Sequence, residues 1–261
     1  MKINKILFLL VLVIGLACSE SHATTTVIDD HFDNGILDTA WSVGLPNATA
    51  TGWTYNESGT NLSVSSIVPT VIDTGAGGTW ATVTLSQTFT PLTDFNVDFD
   101  FSWASSESLR PMQSVGIYLY DSIGNQISVV AYLDEWVGNR GSKYANAAGI
   151  TSLSGASTLP FDGTASLDIS RLGNNLNVLW DGTSLVSGIS SSLLSRVDLV
   201  FQYYAYNGPD GVSFFDSESI DMVKIQGEPS QETSSVPEPA TMLLLGLGLM
   251  GLAGVRRKFK K

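Results

Sequence analysis

The sequence has few of the side chains that do most protein chemistry. Its 261 residues include one cysteine, Cys18, and two histidines, His22 and His31. Cys18 and His22 sit near the N-terminus, in a segment that reads as a removable leader. Without them the mature chain has no disulfide, no thiol nucleophile and no thiolate metal site. His31, alone between Asp30 and Phe32, cannot build a histidine metal cage. There is no Gly-x-Ser-x-Gly elbow and no phosphate-cradling glycine loop. Positive charge is also scarce, with 13 Lys and Arg against 25 Asp and Glu. Between residues 24 and 238, 24 acidic side chains face 6 basic ones, an excess of 18 negative charges. That balance excludes nucleic acid as a partner. It suits a solvated surface outside the cell and is compatible with divalent cations. No window carries a convincing helical period, and there is no sustained internal repeat.

The two ends are informative. Lys2 and Lys5 precede an apolar run from Ile6 to Ala17, followed by Ser21-His22-Ala23. Charge, then apolar stretch, then small residues is the order of a secretory signal peptide, with the cut expected after Ala23. Gly15-Leu16-Ala17-Cys18 matches a lipoprotein acylation box only in part, because Gly15 stands where a branched aliphatic is usual. At the other end, Val236-Pro237-Glu238-Pro239-Ala240 leads into an apolar run from Thr241 to Val255. Its length is at the short end for a membrane-spanning helix, and Pro239 marks the helix entry. Arg256, Arg257, Lys258, Lys260 and Lys261 follow and would stay cytoplasmic as a membrane stop.

The region between these segments reads as β structure. Phe95, Val97, Phe99, Phe101 and Trp103 alternate with Asn96, Asp98, Asp100 and Ser102, the pattern of an antiparallel strand with one wet face. Val115, Ile117 and Leu119 share a face, with Tyr118 and Tyr120 opposite. Leu167 and Ile169 lead through Gly173-Asn174-Asn175, a hairpin turn, to Leu176, Val178 and Trp180. Asp181-Gly182 is a second turn signal. Val197, Leu199, Phe201 and Tyr203 form a further strand, and Ile220 to Ile225 closes the domain. Short strands separated by Gly, Asn and Asp predict an all-β, two-sheet antiparallel sandwich. The expected organisation is a signal segment over 1–23, a β-sandwich over 24–227, a polar linker over 228–235 and a tail over 236–261.

Two family resemblances rest on these residues. Pro237-Glu238-Pro239, the short apolar helix and the terminal Arg/Lys cluster resemble the PEP-CTERM sorting domain. That resemblance implies recognition by an exosortase, an inner-membrane intermediate, tail removal near Pro-Glu-Pro, and a Gram-negative bacterium that makes an extracellular polysaccharide. The stretch from Leu167 to Gly182, the opening Asp29-Asp30-His31-Phe32-Asp33-Asn34-Gly35 before Trp41, and the last strand from Ser219 to Gly227 are similar to concanavalin A-like jelly rolls. That likeness implies that the first and last strands pair, often with calcium nearby. Asp29 or Asp30 would then join Asp221 in supplying oxygens to a structural Ca²⁺, which takes about six to eight of them.

Some jelly-roll relatives hydrolyse glycosides, which takes two carboxylates roughly 5 to 10 Å apart across one sugar bond. The glucanase strand pattern Glu-x-Asp-x-x-Glu is absent from this chain. Asp98 and Asp100 share a strand face, read here as a solvated outer face. Asp134 and Glu135 are adjacent and would point to opposite faces if extended. Trp103 and Trp180 are in phase with core residues and are assigned to packing. Trp136 lies in a polar, turn-rich context with Asp134 and Asn139, and Tyr144 follows; this is the expected glycan-binding cluster, an aromatic platform ringed by polar groups. The sequence is therefore read as an exported, non-enzymatic cell-surface or extracellular-matrix protein. The alternative is a lectin-like module that binds exopolysaccharide.

Overall fold

The computed structural model describes residues 24–44, 53–57, 59–66, 79–104, 112–133, 141–153, 159, 162–205 and 218–230. The expected signal segment and the whole sorting tail, including its apolar run, lie outside these residues. The described chain is all-β and antiparallel. Its central element is β5 (Thr79–Ala104), which serves two sheets. From Thr79 to Leu92 it pairs with β13 (Leu194–Ala205), and from Leu92 onward with β10 (Asp162–Leu172) and β14 (Glu218–Pro229). The register with β13 slips between Thr88 and Leu92, around Pro91, a residue with no ladder N–H to give.

Sheet one runs β2 (Ser42–Gly44), β5, β13, β6 (Met112–Tyr120), β7 (Gln126–Leu133), β8 (Ser142–Ala147) and β9 (Ile150–Leu153). Sheet two runs β12 (Thr183–Ile189), β11 (Asn175–Trp180), β10, β5 and β14. Beyond β14 lie β1 (Thr25–Asp30) and β4 (Leu62–Ser66), the latter paired with β3 (Trp53–Glu57). As expected of such a sandwich, the first and last strands pair, with Thr25 opposite Gly227 and Asp29 opposite Lys224.

The alternating residues read as core are the core. Val97, Phe99 and Phe101 have no exposure, nor do Ile117, Leu119, Ile169, Val178, Trp180 and Leu199. Each such side chain stabilises the fold by about 1.5–3 kcal/mol relative to exposure. Trp103 stacks on Tyr132 across the sandwich at 4.7 Å, and Phe101 meets Trp180 edge-on at 5.3 Å. The two tryptophans read as packing residues therefore sit inside, bridging the layers. Both turn expectations also hold. Asp181 and Gly182 have φ of 49° and 73°, the left-handed pair of a type I′ hairpin, and Gly173 takes φ 60° between β10 and β11.

One boundary differs from the expectation. β14 continues past Gly227 to Pro229, and the compact unit extends to Ser230. Thr93 Oγ1 donates to the Glu228 carbonyl at 3.1 Å, and the Ser230 amide to that of Pro91 at 2.7 Å. Polar composition marked these residues as linker, whereas backbone hydrogen bonds, which composition does not report, hold them in the sheet.

Arg171 is a buried cation at 5% exposure. Its guanidinium donates to the carbonyls of Ser192 and Thr93 and lies over the Phe95 ring at 5.6 Å. It joins the end of β10 to the point where β5 changes sheets. Arg171→Ala strands both carbonyls and is expected to lower stability by about 3 kcal/mol, read by urea unfolding.

Candidate functional site

Each of the expected calcium ligands is engaged by other groups of the protein. Asp29 and Asp30 are neighbours on β1 and so point to opposite sides of the strand. Asp29 faces outward, with its carboxylate 3.3 Å from His31 Nε2 and 4.0 Å from Lys224 Nζ. Asp30 accepts from the Phe32 amide at 3.0 Å and from Trp41 Nε1 at 2.9 Å, so both of its oxygens stabilise the turn after β1. Asp221 sits at a bulge in β14 and accepts from Ser219 Oγ at 3.3 Å. Among the described residues, no group of three or more His, Cys, Asp or Glu is placed to hold a metal ion. Of the expected glycan cluster, Asp134, Trp136 and Asn139 lie outside the described residues; Tyr144 is on β8.

Tyr144 belongs to a different constellation, the outer face of sheet one. Registers across six strands define its rows. One row runs Thr84, Val200, Gly116, Ala131, Tyr144 and Leu153. The next runs Ser86, Asp198, Tyr118, Val129, Asn146 and Thr151. Arg196 and Tyr120 are register partners beyond it, and Gln202 faces Thr82 and Ser114 on the other side. Although they point away from the core, Val129, Ala131 and Val200 are only 5%, 1% and 4% exposed. The face is thus recessed, with a floor of small residues and three tyrosines that keep partial exposure. Gly116 is required in that floor, because a Cβ there would lie 2.5 Å from the Val130 carbonyl oxygen.

The polar groups on this face are connected. Tyr118 O–H donates to Gln202 Oε1 at 3.3 Å, and Gln202 Nε2 donates to Thr82 Oγ1 at 3.4 Å. Arg196 Nε lies 3.1 Å from Asp198 Oδ1, and the guanidinium covers the Tyr120 ring at 4.0 Å. Burial, then the neighbouring Tyr120 and Tyr144 phenols, push the Tyr118 hydroxyl up to about 12. Burial, then Asp198, also raise Tyr120. Tyr118 and Tyr120 stay neutral at physiological pH, and the Tyr118 hydroxyl serves as a hydrogen-bond donor on an aromatic plate. The sequence placed Tyr118 and Tyr120 on the face of β6 opposite Val115, Ile117 and Leu119; their grouping with Tyr144 and Gln202 depends on strands far apart in the chain.

Sheet two has a different outer face. Asp98 on β5 stands directly opposite Asp168 on β10, and Asp100 lies close to Asp221. Desolvation, then Asp98, raise the Asp168 carboxyl. Desolvation, partly offset by the Ser219 hydrogen bond, and then Asp100 raise that of Asp221.

The C-terminus is now decided. Residues 235–258 match the PEP-CTERM protein-sorting motif. The motif implies export through a membrane-anchored intermediate and processing by an exosortase. No curated protein matches the chain. Among solved structures, it is similar to SCLam, a non-specific endo-β-1,3(4)-glucanase from family GH16, at 12% identity and TM-score 0.54, over 80% of this chain and 92% of that one. It is also similar to a structure described with endo-acting O-glycanases of the human gut microbiota (11% identity, TM-score 0.51, 77% and 98% of the two chains). A sialidase matches at 15% identity and TM-score 0.51, over 77% of this chain and 18% of its own length. These likenesses establish the concanavalin A-like jelly-roll fold.

The acidic face of sheet two has a consequence for stability. Asp168 and Asp221 hold protons more tightly folded than unfolded. Their favourable contribution is complete below the ordinary aspartate pKa and is lost as pH rises through the folded value. Asp168→Asn should therefore stabilise the domain at pH 7 by roughly 0.5 kcal/mol, the scale of one cross-strand like-charge pair. Thermal melts should show that gain shrinking as pH falls toward about 3.5.

Proposed function

We propose that this is an exported, non-enzymatic protein of the cell surface or extracellular matrix, and that the recessed face of sheet one binds carbohydrate of the exopolysaccharide. The signal segment and the sorting motif support the route. Lys2, Lys5 and the apolar run engage the export machinery. Pro237-Glu238-Pro239 is the recognition element for the exosortase. Thr241 to Val255 hold the intermediate in the inner membrane, with Arg256 to Lys261 on the cytoplasmic side.

The observation that carries the binding reading is the clustering of Tyr118, Tyr120 and Tyr144 around a floor of Gly116, Ala131 and Val129, with Gln202 bonded into the group. Sugar rings present flat C–H faces edged with hydroxyls. Partly exposed phenols beside amide and hydroxyl groups complement both features. The solved structures resembling the fold include glycan-active proteins, which makes a sugar ligand reasonable without specifying it. A binding role is favoured over hydrolysis because Asp198, the carboxylate on this face among the described residues, is held by Arg196. Glycosidic hydrolysis needs a second carboxylate opposite it.

Two measurements test the two halves of the proposal. Replacing Pro237, Glu238 and Pro239 with alanine should leave the full-length chain in the membrane fraction, its tail intact by mass spectrometry; normal release would refute the sorting role. Tyr118→Ala, with folding checked by circular dichroism, should weaken retention on the producing bacterium's polysaccharide at least about tenfold, or about 1.4 kcal/mol. Unchanged retention would remove the face from the binding function.

A further inference from the structure

We infer that the recessed face selects an uncharged polysaccharide, and that the Arg196–Asp198 pair is the device that keeps it selective. This rests on the carbohydrate-binding reading above and specifies its ligand class.

A polysaccharide can be neutral or can bear anionic groups such as carboxylate or sulfate. A protein that binds the second kind offers cations with no internal partner, preferably Arg, whose planar fork matches an oxyanion. Here the cation on the face among the described residues is Arg196, and it is already engaged. Its guanidinium lies 3.1 Å from Asp198 at Nε, donates to the second Asp198 oxygen from Nη2 at 3.3 Å, and covers Tyr120 at 4.0 Å. Asp198 is 7% exposed, so this carboxylate is fixed beneath the face rather than free to swing away. An incoming uronate would have to compete with it for the guanidinium while approaching a buried negative charge. It would also approach a secreted region with 24 acidic and 6 basic side chains.

The rest of the face is built for neutral hydroxyls. The Gln202 amide uses one hydrogen on Thr82 and one lone pair on Tyr118, which leaves a donor and an acceptor for a ligand. Thr84, Ser86 and Asn146 lie in the same two rows and add groups that both donate and accept. The Tyr118 phenol, pushed up to about 12, contributes no charge of its own. Recognition through such groups is insensitive to salt, whereas recognition of an anionic chain would weaken as salt rises.

The test is binding of the exported protein to an array holding neutral polysaccharides (β-glucans, dextran, galactomannan) and uronate-bearing ones (alginate, hyaluronate). The expected result is retention on one or more neutral chains, unchanged between about 0.02 and 0.5 M NaCl, with uronate chains bound at least about tenfold more weakly. Asp198→Asn keeps the shape of the side chain and releases Arg196. It should raise retention on the uronate chains about tenfold at low salt, and the gain should vanish at high salt. Salt-sensitive binding of the wild-type protein to uronate chains, weakened by Tyr118→Ala, would overturn the neutral-ligand inference and leave the sugar-binding reading standing. A folded Asp198→Asn variant with no gain on uronate chains would overturn the role of the pair. Retention on no polysaccharide of either kind would overturn the sugar-binding reading and this inference with it.

Discussion

The alternation of buried and outward side chains along β5 constrains the whole domain. The strand is 26 residues long and pairs first with β13 and β2, then with β10 and β14, so both sheets take their register from it. Val83 and Leu85 point into the core from sheet one; Val97, Phe99 and Phe101 do so from sheet two. With no cysteine among the described residues, their burial replaces the covalent links that stabilise many exported domains. It also commits the residues between them. Thr82, Thr84 and Ser86 are turned toward the recessed face, and Asn96, Asp98 and Asp100 toward the acidic one. A slip of one residue would exchange inside for outside on both layers.

That single phase produces two unlike surfaces. On sheet two, carboxylates from adjacent strands face one another; burial first, and the neighbouring carboxylate after it, raises the pKa of Asp168 and of Asp221. On sheet one, the buried Asp198 is matched by Arg196, and tyrosines, amides and hydroxyls surround a floor of small and apolar residues. The excess negative charge of the chain is thus partitioned. One face is strongly acidic, which favours solubility and repels like-charged chains. The other is balanced and shaped, and suits contact.

Much of this was legible in the chain. Period-2 alternation located the strands from Phe95 to Trp103 and from Val115 to Tyr120, and it put Trp103 and Trp180 inside. The Asp181-Gly182 and Gly173 turns were identifiable because their backbones need φ > 0. The first half of β5 also alternates, with Val83 and Leu85 between Thr82, Thr84 and Ser86, but its pairing with β13 joins residues far apart in the chain. The partners of Asp29 and Asp30 were not legible either: the two are adjacent in sequence, but a strand sends neighbours to opposite faces, Asp29 toward His31 and Lys224 and Asp30 toward Trp41.

The sequence by itself determined the sorting route and which residues alternate. A Pro-Glu-Pro motif, an apolar run and a basic stop are contiguous signals, and alternation is a local pattern. Only the tertiary structure decided which outward residues share a surface. Tyr118, Tyr144, Asp198 and Gln202 come from three strands, β6, β8 and β13, and meet only through register. Register is set by burial of the opposite side chains across the whole sandwich, a constraint that no short stretch of the chain contains.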